Sequence, residues 1–358
     1  MKSRGALSNP VNRFFSTHVE ADSEHLGAAA GSGDDWQPQK LHTRVSREQA
    51  RTLITRNASP DVPFNLSINP YRGCEHGCIY CYARPSHAYL DLSPGLDFES
   101  RLFAKVNAAW VLERELARPG YRCEVIALGA NTDAYQPVEK TLGITRQLLE
   151  MMLEFRQPVA IITKGTGILR DLDLLSRLAR QNLVTVTISV TSLDPSIKRS
   201  LEPRAASPAA RLSVIRSLRE AGIPVSVLMA PIIPRITDHE IESVLKACAA
   251  AGASGAGYIL LRLPLEVRPL FNQWLETHFP ERAAAVMSLM RQCRGGHEYR
   301  GRFGERMKGT GPVAELIRQR FEKAVRRLRL GEQEESRSSL DTHSFRVPPR
   351  TGDQLSLF

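Results

Sequence analysis

No stretch of the 358 residues is apolar over the length that a membrane span needs, and the N-terminus has no continuous hydrophobic run of the signal-peptide kind. The expectation is a protein without membrane anchor or export signal. Scattered Arg and Ser in the opening segment leave a transit peptide as the alternative. Cysteine is scarce, six in all, yet Cys74, Cys78 and Cys81 crowd into eight residues. Such crowding without an export signal argues for metal ligation in a reducing cytoplasm and against a disulfide framework. Acidic residues are in deficit: 38 Asp and Glu stand against 48 Lys and Arg, a formal net charge of +10. That surplus suits an acidic partner, nucleic acid first among them.

Sustained periodicity is missing from residues 1–44, which read as a flexible arm. Strand-like runs then alternate with amphipathic stretches over residues 45–265. The runs are Phe64–Ile68, Glu124–Leu128, Val159–Thr163, Val184–Val190, Val225–Met229 and Tyr258–Leu263. Helical patterns lie between them at Phe98–Leu116, Leu142–Phe155, Ile168–Arg180, Pro208–Ala221 and Asp238–Ala251. Repeated strand–helix alternation means a parallel sheet with crossover helices, so the class is α/β. Periodicity alone leaves a partial barrel and a doubly wound open sheet both standing. In either, chemistry belongs at the C-terminal ends of the strands. Residues 266–330 read as a helical extension broken by a Gly- and Arg-rich segment, and 331–358 as a disordered tail.

The segment after the first run is Asn69-Pro-Tyr-Arg-Gly-Cys74-Glu-His-Gly-Cys78-Ile-Tyr-Cys81-Tyr82. Three thiolates at C-x3-C-x2-C spacing on one short loop reach three irons of a cubane and leave the fourth iron open. Gly73 and Gly77 relieve the backbone that must wrap the cluster. The alternative is a structural zinc site with His76 or His87 as fourth ligand. Zinc modules usually pair C-x2-C units, and no second pair exists here.

This motif resembles that of the radical S-adenosylmethionine (SAM) superfamily, C-x3-C-x-aromatic-C, with Tyr80 as the aromatic residue. The run N-P-Y-R-G-C-x-H-G-C-x-Y-C-Y-A-R further resembles the branch related to spore photoproduct lyase, over roughly residues 51–320. The resemblance implies a partial (βα)6 TIM-type barrel with a [4Fe–4S] cluster on Cys74, Cys78 and Cys81. It also implies SAM chelated at the open iron, cleavage to a 5′-deoxyadenosyl radical, and an electron donor such as a flavodoxin or ferredoxin. The hard chemistry is the cofactor's; the protein positions it. By the same resemblance, Asn131, Thr132 and Asp133 stand where many relatives contact the SAM amino group, although their Gly-Gly-Glu pattern is absent and an Asx turn is the alternative. Lys164 stands where a lysine of the lyase-like branch pairs with the SAM carboxylate. Thr187 and Ser189, alternating with Thr185 along one strand face, suit the ribose. Arg204 is a candidate for SAM or an anionic substrate, with a surface ion pair as the alternative. Met229-Ala-Pro-Ile-Ile-Pro resembles an apolar strip that packs on adenine, with plain core as the alternative. Cys293 is a candidate hydrogen-atom donor, because spore photoproduct lyase uses a cysteine in that role.

Two features bear on substrate. Arg294, Arg300, Arg302, Arg306 and Lys308 interleave with Tyr299 and Phe303 and with glycines. Arginines bind phosphates and aromatic rings stack on bases; a solvated loop is the competing reading. The chain ends Gln354-Leu-Ser-Leu-Phe358, which resembles the Q-L-x-L-F peptide by which bacterial polymerases and repair proteins dock on the DNA sliding clamp. Gln354 supplies an amide, and Leu355, Leu357 and Phe358 an apolar anchor on a polar tether. The expected activity is radical SAM chemistry on DNA, in repair or base modification. Modification of RNA, a protein or a metabolite is the first alternative, and a non-catalytic metal-stapled nucleic-acid-binding protein the second.

The tail makes a direct prediction. The full chain is expected to bind a bacterial sliding clamp with micromolar affinity, read by fluorescence anisotropy, and removal of Gln354–Phe358 should abolish it. Undiminished binding by the truncated chain would refute the peptide's role.

Overall fold

The computed structural model describes residues 4–15, 41–331 and 340–349; the clamp-like peptide Gln354–Phe358 lies outside them. In chain order the strands are β1 (Arg44–Glu48), β2 (Thr55–Arg56), β3 (Leu66–Ile68), β4 (Tyr71–Arg72), β5 (Arg101–Lys105), β6 (Ile126–Leu128), β7 (Val159–Thr163), β8 (Val184–Ser189), β9 (Val225–Ile232) and β10 (Gly255–Leu260). Strands β3, β6, β7, β8, β9 and β10 pair in parallel in that strict order, and β2 is antiparallel on the outer edge of β3. Every crossover therefore steps the same way. Right-handed crossovers then place all the helices on one face, and the other face curls in on itself. The result is the partial (βα)6 barrel of TIM type, not the doubly wound sheet.

Side-chain alternation divides the two faces. On β7, Val159, Ile161 and Thr163 are buried while Ala160 and Ile162 are half-buried, and β8 repeats the pattern. The buried valines and isoleucines pack beneath the helices Ile144–Glu154, Leu172–Arg180 and Pro208–Glu220, joining Leu148, Leu175, Leu178 and Leu218 in the main core. The half-buried set lines the interior, where Ile162, Thr187 and Ser226 stand side by side in register. Met229 is fully buried on the helix side of β9. Leu228 and Ala230 face the interior instead, so of the expected adenine-packing strip Ala230 is turned inward and Met229 is not.

Three further expectations need correction. The single helix expected over Phe98–Leu116 is instead a short helix (Leu96–Ser100), the strand β5 and a helix (Ala108–Leu116). In β5, buried Leu102 and Ala104 alternate with Arg101, Phe103 and Lys105, a period of two. Strand β5 pairs with β1 and β4 in a small second sheet that periodicity did not show. The arm is not free over residues 4–15. Ala6 is fully buried, Arg4 nearly so, and Asn12 Nδ2 donates to Ala88 O at 2.8 Å. Nor is the tail free over residues 340–349. Asp341 N donates to Asn182 O (2.9 Å) and Arg346 N to Phe155 O (3.0 Å), so this segment crosses the N-terminal end of the barrel. Phe345 packs there against Tyr121 and Phe155, with ring centroids 5.3 and 6.3 Å away.

Closure of the barrel floor is thus partly supplied from the far end of the chain. Phe345→Ala should lower stability by about 2 kcal/mol, less than a fully buried phenylalanine would cost. A urea midpoint unchanged by the substitution would show that the strap adds nothing to the fold.

Candidate active site

The cysteine loop hangs between the two sheets. Strand β3 delivers the chain to it, and β4 pins its start against β5. Cys74 N donates to Phe98 O at 2.9 Å and Cys81 N to Cys78 O at 3.2 Å. Gly73 and Gly77 turn the backbone with φ of 75° and 66°. A Cβ on Gly77 would also stand 2.7 Å from Glu99 Oε2, so the position excludes side chains on two grounds.

Behind the loop lies a fully buried ion pair, Arg84 with Glu99. Arg84 also donates to Cys78 O (3.0 Å), Pro94 O (3.1 Å) and Gly95 O (2.9 Å). Glu99 accepts from Gly5 N (2.9 Å) and Ala6 N (2.8 Å). The N-terminal segment therefore seats directly on the cysteine loop. A Cβ on Gly5 would fall 1.8 Å from Gly77 O, closer than any side chain permits.

Cys74 and Cys78 are buried and Cys81 is half-buried. Burial pushes all three thiols up, Cys78 to about 12, and Cys74 also feels Asp133, Cys78 and Cys81. Thiols grouped in this way ionise readily only against a strongly cationic centre, which the irons of a cluster supply. Among the described residues no three His, Cys, Asp or Glu side chains converge on a single ion. A cubane takes one thiolate per iron and needs no such convergence. A single zinc ion would need that convergence, so the zinc alternative lacks its ligand set among the described residues; His76 Nδ1 lies 3.2 Å from Asp133 Oδ2, and His87 Nε2 bonds Arg101 O at 2.9 Å. Burial lowers the His87 pKa.

A second polar cluster faces the loop from the ends of β7 and β8. Glu202, 1% exposed, pairs with Arg211, accepts from Tyr80 Oη, and accepts from Thr191 Oγ1 at 2.9 Å. Arg211 donates to Ser189 O (2.9 Å) and Ala206 O (3.0 Å). Lys164 stands beside this group with its Nζ 5.8 Å from the Tyr80 ring centroid. Burial alone would lower its pKa, but Cys78 and Glu202 raise it. No carboxylate among the described residues comes within ion-pair distance of Lys164, which leaves a half-buried cation beside the thiols.

The other expected residues divide into braces, lining and surface. Thr132 Oγ1 donates to Tyr71 O (2.9 Å), and exposed Asn131 gives its backbone N–H to Asn69 Oδ1 (2.8 Å). Asp133 accepts from Thr163 Oγ1 (2.6 Å), Tyr135 N (2.9 Å) and Lys164 N (2.7 Å), and its pKa is held low. Thr132 and Asp133 are thus committed to tying the cysteine loop to β7, which corrects their reading as open SAM contacts. Arg204 bonds Glu75 Oε1 at 2.9 Å and, through its backbone, His76 O at 3.2 Å, so it too braces the loop. Thr187 lies on the interior face, and Ser189 is buried at the strand end.

Cys293 is fully buried in the main core with Leu260 and Ala314, away from the cysteine loop, so it is a core side chain and not a hydrogen donor at the site. Arg294 is 2% exposed and spends its guanidinium on Leu261 O (2.7 Å), Glu305 O (2.9 Å) and Arg306 O (3.0 Å), which corrects its assignment to nucleic acid. Arg306 is half-committed to Asp61 and Ser59, whereas Arg300, Arg302 and Lys308 are exposed. Sequence reasoning missed Glu99, Arg211 and Thr191. Each meets its partner across the fold, and no local spacing marks it.

Comparison with known proteins agrees with this geometry. A family model for the radical SAM superfamily matches residues 68–248. An uncharacterised protein of Mycobacterium tuberculosis is 40% identical over 233 residues, 64% of this chain and 68% of the relative. An uncharacterised protein of Methanocaldococcus jannaschii is 27% identical over 218 residues, 60% of this chain and 76% of the relative. Spore photoproduct lyase complexed with dinucleoside spore photoproduct has a similar fold, with TM-score 0.58, 16% identity and 79% of each chain covered.

The Glu202 cluster predicts an acid-sensitive fold. Burial would raise the Glu202 carboxyl, but Arg211 and Lys164 outweigh it and bring the pKa down from 4.5 to about 2. The stability due to its ionised form is complete above about pH 4.5 and is lost as pH falls through about 2. Glu202→Gln should be less stable at pH 7, because Arg211 is left unpaired. Between pH 7 and pH 3 its deficit relative to the parent should shrink by roughly 2 kcal/mol. A deficit independent of pH, measured by urea titration, would contradict the depressed pKa.

Proposed function

The chain belongs to the radical SAM superfamily and is a radical SAM enzyme, and from that premise we propose that it acts on DNA, in repair or base modification. Cys74, Cys78 and Cys81 hold a [4Fe–4S] cluster, and SAM is the co-substrate. When bound, cluster and SAM supply a one-electron cleavage and a radical able to abstract hydrogen. The chain's own residues do the positioning. Asp133, Arg204 and the Arg84–Glu99 pair hold the loop in one geometry. Lys164 offers its unpaired ammonium to the carboxylate of SAM, and Thr187 lines the interior where a ribose would lie. The electron comes from a carrier such as a flavodoxin or ferredoxin.

The observation that carries the DNA reading is the loop 294–310. It presents Arg300, Arg302, Lys308 and the 56% exposed ring of Phe303 to solvent. A net charge of +10 supports the same partner. The dinucleoside bound by the fold neighbour is a ligand of matching chemistry. Recruitment runs through Gln354, Leu355, Leu357 and Phe358 docking on the sliding clamp, which places the enzyme in the cytoplasm.

Anaerobically reconstituted protein should show iron–sulfur absorbance and release 5′-deoxyadenosine from SAM, and Cys78→Ala should abolish both. A variant that keeps the absorbance would sink the ligand assignment. Zinc in place of iron would favour a non-catalytic nucleic-acid-binding protein.

A further inference from the structure

The sheet has two free edges, β2 and β10, and the loop 294–310 bridges them. Leu260 N, at the end of β10, donates to Met307 O at 2.8 Å. At the other edge Asp61, in the loop between β2 and β3, accepts from Gly304 N at 2.6 Å and pairs with Arg306. The bridge passes beside Tyr82, which directly follows the ligand candidate Cys81 and is 41% exposed. Tyr82 is fixed by a hydrogen bond from its hydroxyl to Ala130 O.

Two arginines stand behind exposed rings here. The Arg262 guanidinium lies 5.0 Å from the Tyr82 centroid, and that of Arg306 lies 4.7 Å from the Phe303 centroid. Arg262 Nη1 meets Sδ of Met307, the residue next to Arg306, so the two stacks are neighbours. Arg306 has its carboxylate in Asp61. Among the described residues Arg262 has no carboxylate within ion-pair distance, Asp61 acting on it only from farther off; its one hydrogen-bond contact there is a weak one to Met307 Sδ at 3.6 Å, and its Nε is buried without a partner. A half-buried cation without a carboxylate is costly unless an anion from outside completes it. Each ring turns one face to an arginine and remains exposed elsewhere, the arrangement in which a base stacks while its phosphate meets the cation.

We infer that Tyr82 and Phe303, backed by Arg262 and Arg306, form a stacking platform for an unpaired nucleotide of a DNA strand at the open edge of the barrel, beside the cysteine loop. Arg262 binds the adjoining phosphate. This inference rests on the DNA reading above and names the part of the protein that would hold the substrate strand. An extruded or single-stranded base fits the platform, whereas a base within duplex offers no free face.

The test is equilibrium binding of reconstituted holoenzyme to a fluorescein-labelled single-stranded DNA oligonucleotide and to its duplex, followed by anisotropy over a salt series. Thermal unfolding and iron–sulfur absorbance check that each variant is folded and loaded. Phe303→Ala and Tyr82→Leu should each weaken single-strand binding about tenfold with little change in salt dependence. Arg262→Gln should reduce the slope of log affinity against log salt by about one. Phe303 is exposed, so its variant stays informative if Tyr82→Leu fails to fold. If the parent binds the oligonucleotide and all three variants match it, the platform is overturned and the DNA reading stands. If the parent binds neither probe, both are overturned.

Discussion

The buried pair of Arg84 and Glu99 is the interaction on which the site depends. Its two charges are fully out of water, a cost repaid only when every donor and acceptor is answered. Here they are answered by the very segments that must be held together: the carbonyl of Cys78, the turn at Pro94 and Gly95, and the backbone N–H groups of Gly5 and Ala6. The pair does more than stabilise. It fixes the second cysteine against the small sheet and draws the N-terminal segment over the loop. Without it, the Cys78 carbonyl and the Gly5 and Ala6 N–H groups would lose the partners that hold them together.

Around that anchor the protein sorts its charges into two kinds. Most are answered at short range: Glu202 by Arg211, Glu75 by Arg204, Asp61 by Arg306, and Asp133 by the Thr163 hydroxyl and backbone donors. These pairs convert loops at the strand ends into a rigid rim, because each joins segments that are far apart in the chain. Among the described residues Lys164, beside the thiols, and Arg262, at the end of β10, are half-buried cations with no carboxylate within ion-pair distance, as are Lys105 and Lys198. Under the proposed function, Lys164 and Arg262 are the two of these that meet anionic ligands.

The same sorting shows why exposure cannot be assigned from composition. Arg294 and Arg302 stand eight residues apart in one basic loop, yet the first is buried among backbone carbonyls and the second is on the surface. Cys293 shares a residue type with the cluster ligands and lies in the main core. Chemistry in this protein follows position in the barrel, not residue identity.

Much was legible beforehand, for local reasons. The spacing of Cys74, Cys78 and Cys81, with glycines before the first two, is a property of one turn and is readable wherever that turn ends up. The alternation of short apolar runs with amphipathic helices encodes a parallel sheet through periods of two and 3.6, and β7 fell on the expected residues Val159–Thr163. What only the tertiary structure decided were matters of long-range pairing. The second sheet needed β1 to meet β5 more than fifty residues away. The packed segment at 4–15 needed Glu99, and the strap at 340–349 needed Phe155 and Asn182. Which arginines would be spent on carbonyls and which left for a ligand depended likewise on partners brought near by folding. A sequence window records what a side chain is; whether its charge is already answered is settled only when the distant partner arrives.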